Sequence, residues 1–111
     1  MEAKATAKFI IVSPRKVRLV ADQLRGFSYP EAMDILRFIP RKGATLLARV
    51  MESARSNARQ QVGDGMKEAD LYVKKVYVDE GPRLKRFRPR ARGRGMARLK
   101  RTSHITVVLG D

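Results

Sequence analysis

The sequence predicts an α+β fold, in which three helices accompany three strands and a long basic β-hairpin projects from them. Alternating or β-branched stretches indicate strands at residues 3–12, 71–78 and 103–109. Apolar residues at helical spacing indicate three helices between the first two strands, and the first two of these helices follow a start signal. A run of cations with few apolar residues separates the last two strands, so a folded body holds both of its ends.

Length and composition limit the class of protein. A chain of 111 residues, 43% of them hydrophobic, suits one domain with a modest core. The net charge of +14 implies an acidic partner, either nucleic acid or an anionic membrane. No apolar run approaches the roughly 18 residues that span a bilayer, and the first residues lack a secretory core, so we expect a cytoplasmic protein. Without cysteine there is no disulfide or thiolate metal site.

The first strand and the first helix occupy residues 3 to 26. The alternation of residues 3–12 predicts a buried strand face made of Ala3, Ala5, Ala7, Phe9 and Ile11. Ser13 and Pro14 predict a helix start, because Ser caps a helix and Pro suits its first turn. The predicted core face of this helix is Val17, Val20, Ala21 and Leu24. We expect Gly26 to end the helix in a left-handed conformation.

Two further helices follow. Ser28 and Glu31 predict a capping box for the second helix, and Pro40 ends it. The apolar positions of the second helix are Ala32, Ile35, Leu36 and Ile39. The third helix, about residues 41–61, has a stripe at spacings of three and four, made of Ala44, Leu47, Met51, Ala54 and Ala58.

The second and third strands flank the cationic run. The alternation of the second strand shifts at Lys74 and Lys75, which predicts a bulge or strong twist there. The third strand places Ile105, Val107 and Leu109 on one face. We therefore expect a single domain, 1–111, with a globular body (residues 1–80 and 102–111) and an extended hairpin (residues 81–101), called here the basic hairpin.

The positive charge is concentrated in the basic hairpin. Ten of the 25 Lys and Arg residues fall between Arg83 and Arg101 with no acid among them, so the other 92 residues carry a net charge of only +4. Eight of the ten are Arg, whose planar fork binds a phosphate with two hydrogen bonds. Arms of about nine residues at ~3.3 Å each would reach roughly 30 Å from the body. The alternative is a solvated, disordered charge run.

A second group of cations lies on the polar face of the first helix. It consists of Arg15, Lys16, Arg18 and Arg25. Such a group is either an ordinary solvated face or a second anion-binding surface, which the positive end of the helix would assist.

The sequence offers no converging set of catalytic groups. His104 is the only histidine, and we interpret it as a strand residue that faces solvent or RNA. Asp79 and Glu80 point to opposite faces of a strand, so we expect them to pair with nearby cations at the base of the hairpin. Gly93 to Gly95 resembles a phosphate loop but lacks the Lys-Ser/Thr that follows one. We expect no enzymatic activity, no cofactor and no metal.

Three long motifs follow one another along the chain, from residue 13 to residue 108. They are Ser13 to Asp22, Val78 to Pro82 running into Lys85 to Arg94, and Lys100 to Val108. With them the chain resembles the family of bacterial large-subunit ribosomal protein twenty-two. One departure is Gly95-Met96, where relatives often carry an acid, and it bears on the local turn geometry of the hairpin.

The resemblance implies three helices packed on a small three-stranded antiparallel sheet, with a long protruding β-hairpin. It implies a structural constituent of the large ribosomal subunit that binds ribosomal RNA, supports its assembly and folding, and lines the nascent-peptide exit tunnel with the hairpin. The implied partners are large-subunit ribosomal RNA, neighbouring ribosomal proteins and the nascent polypeptide, with no membrane and no homo-oligomer.

The residues expected to bind RNA are Arg15, Lys16, Arg18, Arg83, Lys85, Arg86, Arg88, Arg90, Arg92, Arg94, Arg98, Lys100 and Arg101. The hairpin tip expected to line the tunnel is Arg88, Pro89, Arg90, Ala91, Arg92, Gly93 and Arg94. An architectural protein that binds nucleic acid through general basicity is the main alternative. A membrane-active cationic protein is less consistent with the sequence, because it needs an amphipathic helix with a continuous apolar face.

Overall fold

The computed structural model describes residues 1–63, 65–89 and 95–111, with side chains outside residues 84–100. The elements in chain order are β1 (Glu2–Ile10), α1 (Pro14–Ala21), α2 (Tyr29–Phe38), α3 (Lys42–Val62), a 3-10 turn (Glu68–Asp70), β2 (Tyr72–Glu80), β3 (Leu84–Pro89), β4 (Gly95–Lys100) and β5 (Ser103–Gly110). This order confirms the predicted α+β fold with three helices between the first and second strands.

β5 is the central strand of a three-stranded antiparallel sheet, with β1 on one side and β2 on the other. Ile105, Val107 and Leu109 are fully buried, which confirms the face predicted for this strand. Thr106 is buried on the opposite face, where its hydroxyl oxygen lies 3.3 Å from that of Thr6. β3 and β4 form a separate two-stranded antiparallel sheet.

α3 supplies more core residues than either of the other two helices. Its predicted stripe is confirmed, since every member is at most 1% exposed: Ala44, Leu47, Met51, Ala54 and Ala58. α3 packs against β1 and β5, α1 packs against β2, and α2 packs against α3. Three alanines in the stripe let the helix axis come close to the sheet. None of the described helices combines the length and the apolar character needed to cross a bilayer.

The segment after α1 covers the outer edge of β2. The Gly26 amide donates to the Val73 carbonyl at 3.2 Å, and the Tyr29 amide donates to the Leu71 carbonyl at 2.7 Å. An unpaired sheet edge would expose these carbonyls to another chain. The backbone of residues 26–29 therefore occupies the place of a further strand at the start of β2.

Farther along β2, two arginine side chains donate hydrogen bonds to the carbonyls of its outer edge. Arg25 donates to the Val76 carbonyl at 2.7 Å, and Arg18 donates to the Val78 carbonyl from Nε at 3.0 Å and from Nη2 at 2.7 Å. The outward carbonyls change from odd to even residues because the register shifts between Val73 and Lys75. That shift confirms the bulge predicted from the sequence.

The buried face predicted for the first strand is wrong beyond Ala7. Phe9 and Ile11 are 62% and 53% exposed, whereas Ile10 packs against the core. The register with β5 shifts between Ala7 and Ile10, and Phe9 has a positive φ of 58° within this bulge. One extra residue moves every later side chain to the other face of the sheet.

α1 is shorter than the sequence predicted. It ends at Ala21, and Asp22 is its C-cap, so Gly26 with φ of 86° closes the following turn rather than the helix. Leu24 is nevertheless fully buried, as predicted, from its place in that turn. Ser13 occupies the N-cap position, but its side chain makes no capping hydrogen bond.

α2 begins as predicted, with the Glu31 amide donating to the Ser28 hydroxyl oxygen at 3.5 Å. This is one half of a capping box. The buried residues of α2 are Tyr29, Ala32, Met33 and Leu36. The predicted core residues Ile35 and Ile39 are only partly buried against this cluster.

The molecule is elongated. Its Cα radius of gyration is 17.1 Å and its principal extents are 65 × 25 × 17 Å. A compact domain of this length has a radius of gyration of about 13 Å. The excess agrees with a two-stranded sheet that is not packed into the three-stranded one.

Candidate nucleic-acid interface

The neck, defined here as residues 79–83 and 101–104, joins the basic hairpin to the sheet. The Gly81 amide donates to the Thr102 carbonyl at 2.9 Å, and the Thr102 hydroxyl donates to the Pro82 carbonyl at 2.6 Å. A Cβ at position 81 would lie 2.5 Å from Thr102 Oγ1, so only glycine fits without displacing that hydroxyl. These contacts hold the two arms together where they leave the sheet.

Of the two adjacent acids at the neck, Glu80 forms the expected ion pair and Asp79 does not. Arg83 Nε donates to Glu80 Oε1 at 2.9 Å, which confirms the expectation that Glu80 pairs with a nearby cation. Asp79 takes part in none of the ion pairs found in the part of the chain that the structure describes. Arg83 is half exposed and has further N–H donors, so RNA binding by Arg83 stays a prediction.

His104 connects the neck to the bulge of β1. The Phe9 backbone amide donates to His104 Nδ1 at 3.1 Å, and the two rings meet edge to face with centroids 4.9 Å apart. An accepting Nδ1 requires the neutral imidazole with its proton on Nε2. The neighbouring Ser103 hydroxyl, fully buried, donates to the Val12 carbonyl at 2.7 Å. His104 is thus partly covered by Phe9, whereas the sequence predicted that it faces solvent or RNA.

The register of β3 and β4 places cations opposite one another. Arg86 pairs with Arg98, the one pair of this described register in which both residues are cations. Like charges at directly opposed positions destabilise an isolated hairpin. An anion that neutralises both positions removes this cost, so the register is consistent with a polyanionic partner.

Several predicted site residues lie outside the described residues. These are the tip positions Arg90, Ala91, Arg92, Gly93 and Arg94. The strand positions Lys85, Arg86, Arg88, Pro89, Arg98 and Lys100 are described by backbone alone. β4 begins at Gly95, so the departure at Gly95-Met96 falls at the first residues of that strand.

The cations of α1 have different surroundings. Arg15 and Lys16 are exposed in the first turn, which contains no acid. Arg18 is bound to the Val78 carbonyl, and Arg25 is bound to both Asp22 and the Val76 carbonyl. Arg15 and Lys16 are therefore free of the structural hydrogen bonds that hold Arg18 and Arg25 within the described part of the chain.

Two further cations were not singled out by the sequence analysis. Arg41 and Lys42 line a cleft together with Lys16, although 25 residues separate Lys16 from Arg41 in the chain. A signal was present in the sequence, because Pro-Arg-Lys occurs at residues 14–16 and again at residues 40–42, in each case at a helix start.

The described residues contain no cluster of acids and histidine suited to a metal ion. No three His, Cys, Asp or Glu side chains among them are close enough to hold one. Where the structure brings Lys16, Arg41 and Lys42 together, the shared chemistry is the binding of anions.

Comparison with known proteins gives matches over nearly the entire chain. Residues 5–110 match the family model described as Ribosomal protein L22p/L17e. A Large ribosomal subunit protein uL22 from Thermus thermophilus is 57% identical over 111 residues, covering 100% of this chain and 96% of the relative. Proteins of the same name from Desulfotalea psychrophila and Leptospira biflexa are 54% and 50% identical, each over 100% of this chain and over 99% and 95% of their own lengths.

Proposed function

Because the chain belongs to the Ribosomal protein L22p/L17e family, we propose that it is a structural constituent of the large subunit of the cytoplasmic ribosome. In this role it binds large-subunit ribosomal RNA and supports the assembly and folding of that RNA. The mechanism has no chemical step. Arg and Lys side chains neutralise phosphates that RNA folding brings close together, and released counterions favour the complex.

The basic hairpin is the observation that supports this function most strongly. It carries +10 of the net charge of +14, and a closed neck holds both of its arms. RNA is recognised largely by shape, phosphate contacts and stacking, which a narrow cationic finger can supply between RNA segments. The residues proposed to bind RNA in the hairpin and neck are Arg83, Lys85, Arg86, Arg88, Arg90, Arg92, Arg94, Arg98, Lys100 and Arg101.

The tip of the hairpin is proposed to line the nascent-peptide exit tunnel. Residues 88–94 would occupy volume in the tunnel wall and present positive charge to the nascent polypeptide. This role rests on the resemblance noted for Lys85 to Arg94. Neighbouring ribosomal proteins are further proposed partners of the body.

The start of α1 is proposed as a second RNA contact. Arg15 and Lys16 are exposed in a first turn that carries no acid, and the positive end of the helix dipole adds to their field. Arg18 contributes one exposed side chain that is already fixed to β2, so it can reach a phosphate only with the N–H groups left over.

Replacing Arg88, Arg90, Arg92 and Arg94 together with Gln tests the proposed function. We expect weaker binding to large-subunit ribosomal RNA and a shallower dependence of log K on log salt, by about 0.7 to 0.9 for each phosphate that the variant no longer neutralises. Equilibrium titrations at several salt concentrations measure both quantities. The matched control replaces Arg49, Arg59, Lys67 and Lys75, four exposed cations of the body, with Gln.

The two variants have equal net charge, so a general charge effect would weaken both equally. Equal salt slopes in the hairpin variant and the unaltered chain would contradict direct phosphate binding by the hairpin. Competition with duplex DNA at moderate salt distinguishes a ribosomal RNA-binding protein from a general architectural protein. An architectural protein would bind duplex DNA as tightly as structured RNA.

A further inference from the structure

A cleft lies between the start of α1 and the start of α3. It encloses about 480 Å³ and is lined by Ile11, Val12, Ser13, Lys16, Arg41, Lys42 and Gly43. Three of these side chains are cations and none is an acid. Gly43 is buried, and a Cβ built on it would lie 3.5 Å from Val17, so the two helix starts pack closely and bring the cations to one opening.

The charge in this cleft is uncompensated. None of Lys16, Arg41 and Lys42 belongs to the ion pairs that the structure describes. A second cleft, of about 360 Å³ beside α2, provides a comparison within the same molecule. There Arg37 lies 3.3 Å from Asp34, and the other arginine, Arg55, lies 3.0 Å from Glu68.

The second cleft therefore has no excess of positive charge, since the three acids Asp34, Glu52 and Glu68 face two arginines. It also contains the Tyr29 hydroxyl, whose pKa is raised by burial and partly lowered by the charge of Arg55. A cleft without excess positive charge has little attraction for a polyanion. Of these two clefts, the one between the two helix starts is the one with an excess of positive charge.

The ends of the helices strengthen the positive field. Neither α1 nor α3 has a capping side chain or an acid in its first turn, in contrast to α2 with Ser28 and Glu31. The unpaired amides and the positive helix ends thus add to the field of the three cations rather than being neutralised by neighbouring carboxylates.

Beside Ser13 and Gly43, the remaining wall of the cleft is formed by the apolar residues Ile11 and Val12. Ile11 is 53% exposed at this opening, and Val12 is partly buried beside it. The volume falls within the range of about 300 to 1,000 Å³ typical of small-ligand pockets, which is larger than one phosphate group requires. Apolar surface next to cations suits an unstacked nucleotide, because its sugar or base can lie against the apolar wall.

We propose that this cleft binds a backbone phosphate of the ribosomal RNA through Lys16, Arg41 and Lys42, and holds the adjoining sugar or base against Ile11 and Val12. This inference rests on the proposed function, since the RNA is the same partner. It adds Arg41 and Lys42 to the residues that bind RNA and gives the body a site that is separate from the basic hairpin.

The variant Arg41→Gln with Lys42→Gln tests the site in the full chain. We expect a salt slope shallower by about 0.7 to 0.9 for each phosphate that is no longer neutralised, and an unchanged fold because both side chains are exposed. The matched control is Arg59→Gln with Lys67→Gln. Arg59 lies 18 residues along the same helix, roughly 27 Å from Arg41, and Lys67 is an exposed cation near the far end of that helix.

A photoreactive amino acid in place of Ile11 identifies the occupant in assembled large subunits. A crosslink to RNA supports the inference, and a crosslink to another ribosomal protein overturns it. A salt slope of the Arg41/Lys42 variant equal to that of the unaltered chain also overturns it. If that slope is unchanged while the hairpin variant loses binding, only this inference fails. If the unaltered chain shows no salt-dependent RNA binding, the proposed function fails as well.

Discussion

Arg18 shows how one side chain can be both structural and exposed. Its guanidinium donates two hydrogen bonds to the Val78 carbonyl at the edge of β2, while the residue itself remains accessible to solvent. Helical periodicity places Arg18 on a polar face but contains no information about β2, which lies about 60 residues later. The sequence therefore predicted the exposure of Arg18 and not its contact with β2.

Replacing Arg18 with Ala separates the two roles. We expect the free energy of unfolding to fall by about 1 to 2 kcal/mol, because a partly buried carbonyl loses its donors. Urea denaturation measures this change. Arg15→Ala is the control, expected to lie within about 0.5 kcal/mol of the unaltered chain because Arg15 is exposed and makes no described hydrogen bond. Equal stability of the two variants would contradict a structural role for Arg18.

The buried faces of helices and strands could be predicted from the sequence where the spacing of nearby apolar residues determines burial. The stripe of α3 and the bulge of β2 follow from residues close together in the chain, and both were predicted correctly. The bulge of β1 has no such signal, because residues 9–12 are all apolar and fit either face of the sheet equally well. The bulge is defined by the pairing of β1 with β5, which lies at the other end of the chain. Because of the bulge, Phe9 and Ile11 are exposed and not buried as predicted.

The neck connects the strands of the sheet to the basic hairpin through tight contacts. Gly81→Ala would place a Cβ 2.5 Å from Thr102 Oγ1 and displace the hydroxyl from the Pro82 carbonyl. We expect the free energy of unfolding to fall by about 1 to 3 kcal/mol. Thr102→Ala removes the obstructing hydroxyl, so Gly81→Ala should cost less in that background.

Denaturant unfolding of both single variants and the double variant gives the coupling energy of this pair. Additive effects on stability would mean that the crowding between position 81 and Thr102 does not determine the geometry of the neck. RNA titrations of Gly81→Ala then show whether a displaced neck also misplaces the hairpin for binding.

In the whole molecule, the apolar core and most of the positive charge lie in different parts of the chain. The body carries core residues from all three helices and all three strands of the main sheet, whereas most of the net charge lies in the basic hairpin. The sequence predicted this division between body and basic hairpin, because the cations of the hairpin form one continuous stretch of the chain. The cleft of Lys16, Arg41 and Lys42 was missed because it forms only when two distant helix starts pack together.

Sedimentation with large ribosomal subunits tests whether the basic hairpin holds the chain on ribosomal RNA. The full chain is compared with the variant that replaces Arg88, Arg90, Arg92 and Arg94 with Gln, in salt that strips loosely bound cationic proteins. We expect the full chain to sediment with the large subunit and the variant to be partly released, since its hairpin neutralises fewer phosphates. Release of the full chain into the supernatant, or equal retention of the two proteins, would contradict binding of ribosomal RNA through the basic hairpin.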